Sequence, residues 1–176
     1  LSPFACRIRN ATYKFDETTY SIKKFLLGEN AIHGLVYDAD FLIVQQFAGE
    51  ENATLVLQHA YRGTDEGYPF NFDCLITYQL KKNNELTLTT EIINRAHQPI
   101  PVQDGWHPYF TLGKQIDELE LEFKSKQQVV FDDQLIPTGQ MDPYTEFVSL
   151  KKLGGTFLDN CFTLDEKAVQ PICILR

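Results

Sequence analysis

The chain has 176 residues, 43% hydrophobic, 12% aromatic and 23% charged, which is enough for one sizeable core and is the composition of a soluble globular domain. A formal charge of −8 excludes a nucleic-acid surface, because no basic patch offsets repulsion from phosphates. Lys23-Lys24, Lys81-Lys82 and Lys151-Lys152 are isolated pairs of solvated turns, and no apolar run is long enough to span a bilayer.

In chain order, Arg7 to Phe15 alternates loosely, and Asp16-Glu17 turns it into Thr19-Tyr20-Ser21-Ile22, the pattern of a hairpin. Gly28-Glu29-Asn30 is a loop, after which Ala31 to Tyr37 runs His33 into Gly34, a residue that permits close backbone approach. Phe41 to Phe47 and Ala53 to Tyr61 read as strands joined at Gly49-Glu50-Glu51-Asn52. A loop over Gly63 to Pro69 leads to a strand from Phe72 to Leu80. Lys82-Asn83-Asn84-Glu85 then reverses the chain into Leu86 to Asn94, whose apolar residues alternate with Thr and Glu.

Further strands are expected over Leu119 to Phe123, Gln128 to Asp132, Phe157 to Leu164 and Val169 to Leu175. Leu135 to Asp142, with Pro137 and Gly139, reads as a loop. No convincing amphipathic helix, repeat or linker interrupts this series. Many strands with short turns predict antiparallel β structure, as a sandwich or a barrel.

One stretch stands apart. Pro101 to Gly113 follows the long alternating strand, holds the sole Trp, and sets His107 between Trp106 and Pro108-Tyr109-Phe110. Asp104-Gly105 is a turn pair and Pro108 removes a ladder donor, so His107 is expected at a strand end or edge. Aromatics around a titratable ring fit a concave, partly dry pocket with a polar handle, as a sugar would use. They also fit a hydrogen-bonded histidine in a packed sheet, and spacing alone favours that plainer reading.

Cys6, Cys74, Cys161 and Cys173 show no C-x-x-C spacing, so neither a zinc knuckle nor a redox motif is present. The expectation is free thiols, buried or half-buried, in a reducing compartment and hence a cytoplasmic location, with a disulfide pair as the minority reading. Asn10-Ala11-Thr12 and Asn52-Ala53-Thr54 match a glycosylation sequon too short to carry weight. A start at Leu1 and an end at Arg176, directly after a strand-like run, read as those of a fragment, and the lack of a signal peptide is weak evidence of location.

Ser2-Pro3-Phe4-Ala5-Cys6-Arg7-Ile8, Asn30-Ala31-Ile32-His33-Gly34, Gly67-Tyr68-Pro69, Trp106-His107-Pro108-Tyr109-Phe110 and Leu158-Asp159-Asn160-Cys161-Phe162, in that order, resemble the aldose 1-epimerase (galactose mutarotase) family. The resemblance implies one domain over 1–176, an all-β fold, a large antiparallel β-sandwich (supersandwich) present only in part, with a sugar groove on its concave face. It implies interconversion of the α and β anomers of an aldohexose without cofactor or metal. A proton leaves the anomeric hydroxyl, another reaches the ring oxygen, the ring opens, the carbonyl rotates and the ring closes.

Carried over by position, His107 matches the acid that protonates the ring oxygen, and His33 the second histidine that holds the sugar and polarises the same region. Arg7 and Asp159 match the residues that hydrogen-bond sugar hydroxyls. Trp106, Tyr109 and Tyr68 are expected to line the groove, with aromatic core the competing reading. Each of the others has its plain counterpart: a turn cap for His33, a surface cation for Arg7, an Asx turn for Asp159-Asn160.

Two departures qualify the match. Many members carry Asn-His-Ser-Tyr-Phe in place of Trp106-His107-Pro108-Tyr109-Phe110, which places the chain in a divergent branch with its own sugar. The family's general base is a glutamate well beyond the aspartate motif, past Arg176, and Glu166 lies too close to Asp159 to match it. The expected partner is therefore a small sugar, with no nucleic acid or membrane, acting on a monomer or homodimer. Alternatives are a hexose-6-phosphate 1-epimerase, which would want more cations, and a sugar-binding module without turnover. A cupin-like metal barrel is disfavoured because His33, His59, His97 and His107 lack His-x-His spacing.

Overall fold

Alternating runs broken by short polar turns satisfy their backbone only by pairing sideways. The computed structural model, which describes residues 1–165 and 167–176, shows that pairing along most of the chain, always antiparallel among the described strands. Helical structure is confined, among the described residues, to single 3-10 turns at Arg9–Ala11 and Ile116–Glu118. The chain divides into two compact units, Leu1–His107 and Pro108–Arg176.

In the first unit, β1 (Arg7–Ile8), β4 (Leu26–Leu27) and β5 (Asn30–Ile32) form a small sheet in the order β1-β5-β4. The expected hairpin is β2 (Thr12–Phe15) with β3 (Thr18–Ser21), turned by Asp16 and Glu17 at φ 47° and 63°. Positive φ at both central positions is the geometry whose twist matches the flanking strands. The main sheet is a meander, β6 (Leu42–Ala48), β7 (Asn52–Arg62), β8 (Asn71–Lys81) and β9 (Leu86–Asn94). Its strands fall within a residue or so of the limits that alternation predicts.

The core of this unit lies at one end of that meander. Tyr61 on β7 and Phe72 and Cys74 on β8 pack with Tyr68, Phe70, Ile22, Leu35 and Phe4. Each such large apolar side chain contributes about 1.5–3 kcal/mol on burial. Asp65 sits inside the connecting loop, nearly inaccessible, and its carboxylate accepts from the backbone N–H groups of Lys23, Lys24 and Gly67. Those bonds repay the desolvation of a charge and hold the two loops together.

The second unit has β10 (Glu120–Phe123), β11 (Ser125–Phe131), β12 (Pro137–Pro143), β13 (Lys151–Lys152), β14 (Phe162–Leu164) and β15 (Cys173–Leu175), arranged as β13-β10-β15 and β12-β11-β14. Its core is Leu119, Phe123, Phe147 and Leu153. Here the expectations need correction. The segment read as a loop around Pro137 and Gly139 is strand β12. Its prolines stand at the two ends, and Gly139 takes φ 86° where the register with β11 shifts. Proline at a strand limit and glycine in a bulge are both compatible with pairing.

Conversely, the strands expected from Phe157 and from Val169 begin only at Phe162 and Cys173. Asp159-Asn160 has poor strand propensity and Pro171 lacks a ladder donor. The four thiols are free, as expected, but only Cys74 is buried, while Cys6, Cys161 and Cys173 are exposed.

Candidate functional site

The geometry around His33 starts with its backbone. Strand β5 ends at Ile32, and His33 and Gly34 then take φ 64° and 79°, turning the chain sharply. The turn is held by the N-terminal segment: His33 N donates to Cys6 O at 3.0 Å and Leu35 N to Ser2 O at 2.7 Å. A Cβ on Gly34 would lie 2.2 Å from Ser2 O, so glycine is required both for the close approach and for the φ value.

The segment carrying His107 is fixed from the other side. Tyr68 Oη donates to Pro101 O at 2.8 Å, Gln103 N to Pro3 O at 2.8 Å, and Leu1 N to Gly105 O at 2.7 Å. Trp106 Nε1 donates to Thr90 Oγ1 at 3.0 Å, and its indole meets Tyr78 edge-on with centroids 6.3 Å apart. The indole is therefore pinned over the face of β8 and β9 yet stays 42% exposed, as an aromatic wall with a wet side would be.

These constraints bring His33 and His107 together, with ring centroids 5.9 Å apart and planes at 69°. The His107 side is exposed and His33 is partly buried. Burial pushes the pKa of His33 below its ordinary 6.5, and the nearby His107 and Arg7 push it the same way. Nδ1 of His33 is inaccessible to solvent and has no hydrogen-bond partner among the described residues. A His33 cation would carry a second N–H pointing at nothing, which reinforces the neutral form. Arg7, half-buried on β1, stands opposite Ile32 in the ladder, one residue from His33.

The remaining candidates are placed differently. Tyr68 is only 2% exposed and packs on Tyr61, Phe70 and Phe72, so its hydroxyl anchors the His107 segment from beneath. Burial raises its pKa, with Tyr13 and Tyr61 adding to the rise, and keeps the phenol neutral. Asp159 belongs to the second unit, where with Asn160, Gln128, Asp142 and Phe157 it lines a hollow of 380 Å³. Tyr109 and Phe110, also in that unit, are well exposed, and Glu166 lies outside the described residues. No cluster of His, Cys, Asp and Glu suited to a metal occurs among the described residues. Among them, too, no helix is long and apolar enough to cross a membrane.

Sequence reasoning gave Ser2, Asp104, Tyr78 and Thr90 no part in the site, although Asp104 was read as a turn residue. Ser2 lay within a quoted motif, and Thr90 lay in register with Leu86, Leu88 and Ile92 on the apolar side of the β9 alternation. In both the signal was a small hydroxyl residue next to an otherwise apolar pattern.

Comparison with known proteins bears on this arrangement. The chain is 29% identical over 141 residues to an aldose 1-epimerase of Streptococcus thermophilus, covering 77% of this chain and 40% of that protein. It is 27% identical over 153 residues to a maltose epimerase of Levilactobacillus brevis, covering 81% of this chain and 43% of that protein. The chain thus spans less than half the length of these curated relatives. A galactose 1-epimerase structure from Lactobacillus acidophilus superposes with a TM-score of 0.80 at 22% identity, over 99% of this chain and 56% of that one. The fold is therefore that of the galactose mutarotase-like antiparallel β-sandwiches. The family model described as aldose 1-epimerase matches residues 1–175, and the chain belongs to that family.

Proposed function

We propose that the protein interconverts the α and β anomers of an aldohexose, with His107 as the acid that protonates the ring oxygen. The observation that carries the reading is the pair of imidazoles 5.9 Å apart, one exposed and one held neutral. In the forward step His107 gives its proton to the ring oxygen as the C1–O5 bond breaks and a base takes the proton of the anomeric hydroxyl. The aldehyde rotates and the same transfers run in reverse. The ring changes charge state in every cycle, a task for which imidazole is suited near neutral pH.

His33 has a different part. With Nδ1 buried and unpartnered, the cheaper tautomer carries its proton on Nε2, so the ring offers an N–H donor rather than a base. A neutral neighbour also adds no positive charge beside the proton that His107 carries. Arg7 supplies a charge-assisted donor to a sugar hydroxyl, and Trp106 supplies an apolar face for the C–H side of the ring. Asp159 is proposed as a second hydroxyl partner, an assignment supported by its motif. The sugar, its phosphorylation and the identity of the base are left to experiment.

Polarimetry on the full-length protein with α-glucose, α-galactose and maltose tests the reading. The expected result is equilibration faster than buffer for at least one sugar, falling about a hundredfold or more in His107→Asn. Calorimetric sugar binding that survives His107→Asn, with no acceleration by either form, would instead identify a binding module.

A further inference from the structure

The two imidazoles sit on separate segments, and a single small residue touches both. Ser2 is 1% exposed; its carbonyl accepts from Leu35 N at 2.7 Å, two residues beyond His33. Its hydroxyl donates to Asp104 Oδ1, three residues before His107. The contact is tight on both flanks. Gly34 could not carry a Cβ against Ser2, and a Cβ on Gly105 would come 2.9 Å from that of Ala5. Gly105 N returns a bond to Leu1 O at 3.2 Å, so the strand-like pairing continues past the side-chain contact.

We propose that Ser2 and Asp104 form a positioning latch that sets the spacing of His107 from His33. Both residues act through the backbone that carries the rings. Asp104 lies on the exposed side of its segment, where a carboxylate could as well point into water. Its use as the acceptor for a buried hydroxyl ties that segment down at the point where it leaves the N-terminal strap. The backbone bonds of Gln103 and Gly105 fix the height of the segment, and the side-chain bond between them removes its freedom to rotate. A misplacement of about an ångström at an acid costs on the order of a hundredfold in rate without needing any change in the acid itself. The consequence for catalysis rests on the reading of His107 as the acid, whereas the spacing does not.

The test uses Ser2→Ala, Asp104→Ala and Asp104→Asn in the full-length protein, with anomerisation kinetics and NMR titration of the histidine rings. The charged groups that face His33 are His107 and Arg7. Release of His107 should let His33 titrate higher, towards 6.5, in both alanine variants. Asparagine still offers a side-chain carbonyl oxygen to Ser2, so Asp104→Asn should keep the low titration. In kinetics the alanine variants should lose about ten- to a hundredfold in kcat with KM nearly unchanged, and Asp104→Asn should recover most of it. Unchanged titrations in both alanine variants would overturn the latch, as would Asp104→Asn behaving like Asp104→Ala. If the wild-type protein accelerates no sugar, the catalytic reading fails, while the ring titrations still decide the spacing.

Discussion

The two ends of the four-stranded meander are built from the same alternating strands and have opposite fates. At one end Tyr61 and Phe72, directly paired across β7 and β8, are buried beneath the loops that carry Tyr68, Phe70 and the N-terminal strap. At the other end Ala53, Leu80 and Leu86 are paired in the same way. Yet Leu80 and Leu86 are more than half exposed, and Leu80 lines an open hollow of 560 Å³ with Phe47 and Ala53. Pairing alone therefore does not make a core; the covering loops do. The candidate site lies where the loops are. His33, Trp106 and His107 all belong to segments folded against the packed end or bonded to it.

An ion cluster marks the same end. Asp73, buried on β8, binds Arg62 and Arg95 at 2.7 Å each. Burial opposes ionisation of this carboxylate, but the bonds from both guanidiniums outweigh it and hold its pKa below the ordinary 3.8. It joins the ends of β7, β8 and β9 where the sheet meets the loops.

Substitutions should affect the two ends unequally. The largest effect is expected at Gly34 in the packed end. Gly34→Ala must displace Ser2 and sustain a positive φ, costing about 3 kcal/mol or more in urea unfolding. Arg7→Ala, a step smaller, should lower kcat/KM roughly tenfold through loss of a charge-assisted bond to sugar, with little change in melting.

Acid gives a third handle. His33 titrates below 6.5, so the unfolded chain binds its proton first. The stability this group contributes is complete above pH 6.5 and is lost as pH falls through the lower folded value. Melting temperature should thus hold above pH 6.5 and decline as pH falls below it. His33→Gln should flatten that part of the stability profile. The smallest effect belongs to the bare end, where Leu80→Thr should change unfolding by no more than about 0.5 kcal/mol.

Much of the meander was legible because strands of this length have an unmistakable period, and Asn84 at φ 62° closes the β8–β9 turn where the polar residues stand. What the period does not encode is which end acquires a lid. Leu80 and Phe72 look alike in the sequence, and only the course of the distant loops separates them. Strand β12 was hidden because Pro137 and Gly139 are read as breakers, although they occupy the positions where pairing tolerates them. In the candidate site, the residue types of the five motifs drew attention to both histidines. The buried state of Tyr68 was not legible, since an aromatic beside Gly67 and Pro69 serves equally as wall or as core. Ser2 likewise gained its meaning only from the backbone folded against it.

On the proposed reading, the His107 ring moves a proton to a sugar's ring oxygen. NMR exchange between the α and β H1 resonances of an aldose tests it directly, with wild-type protein and His107→Asn measured under identical conditions. Exchange should rise with wild-type concentration and return close to the buffer rate in the variant. Equal exchange in the two, whether fast or at the buffer rate, would contradict it.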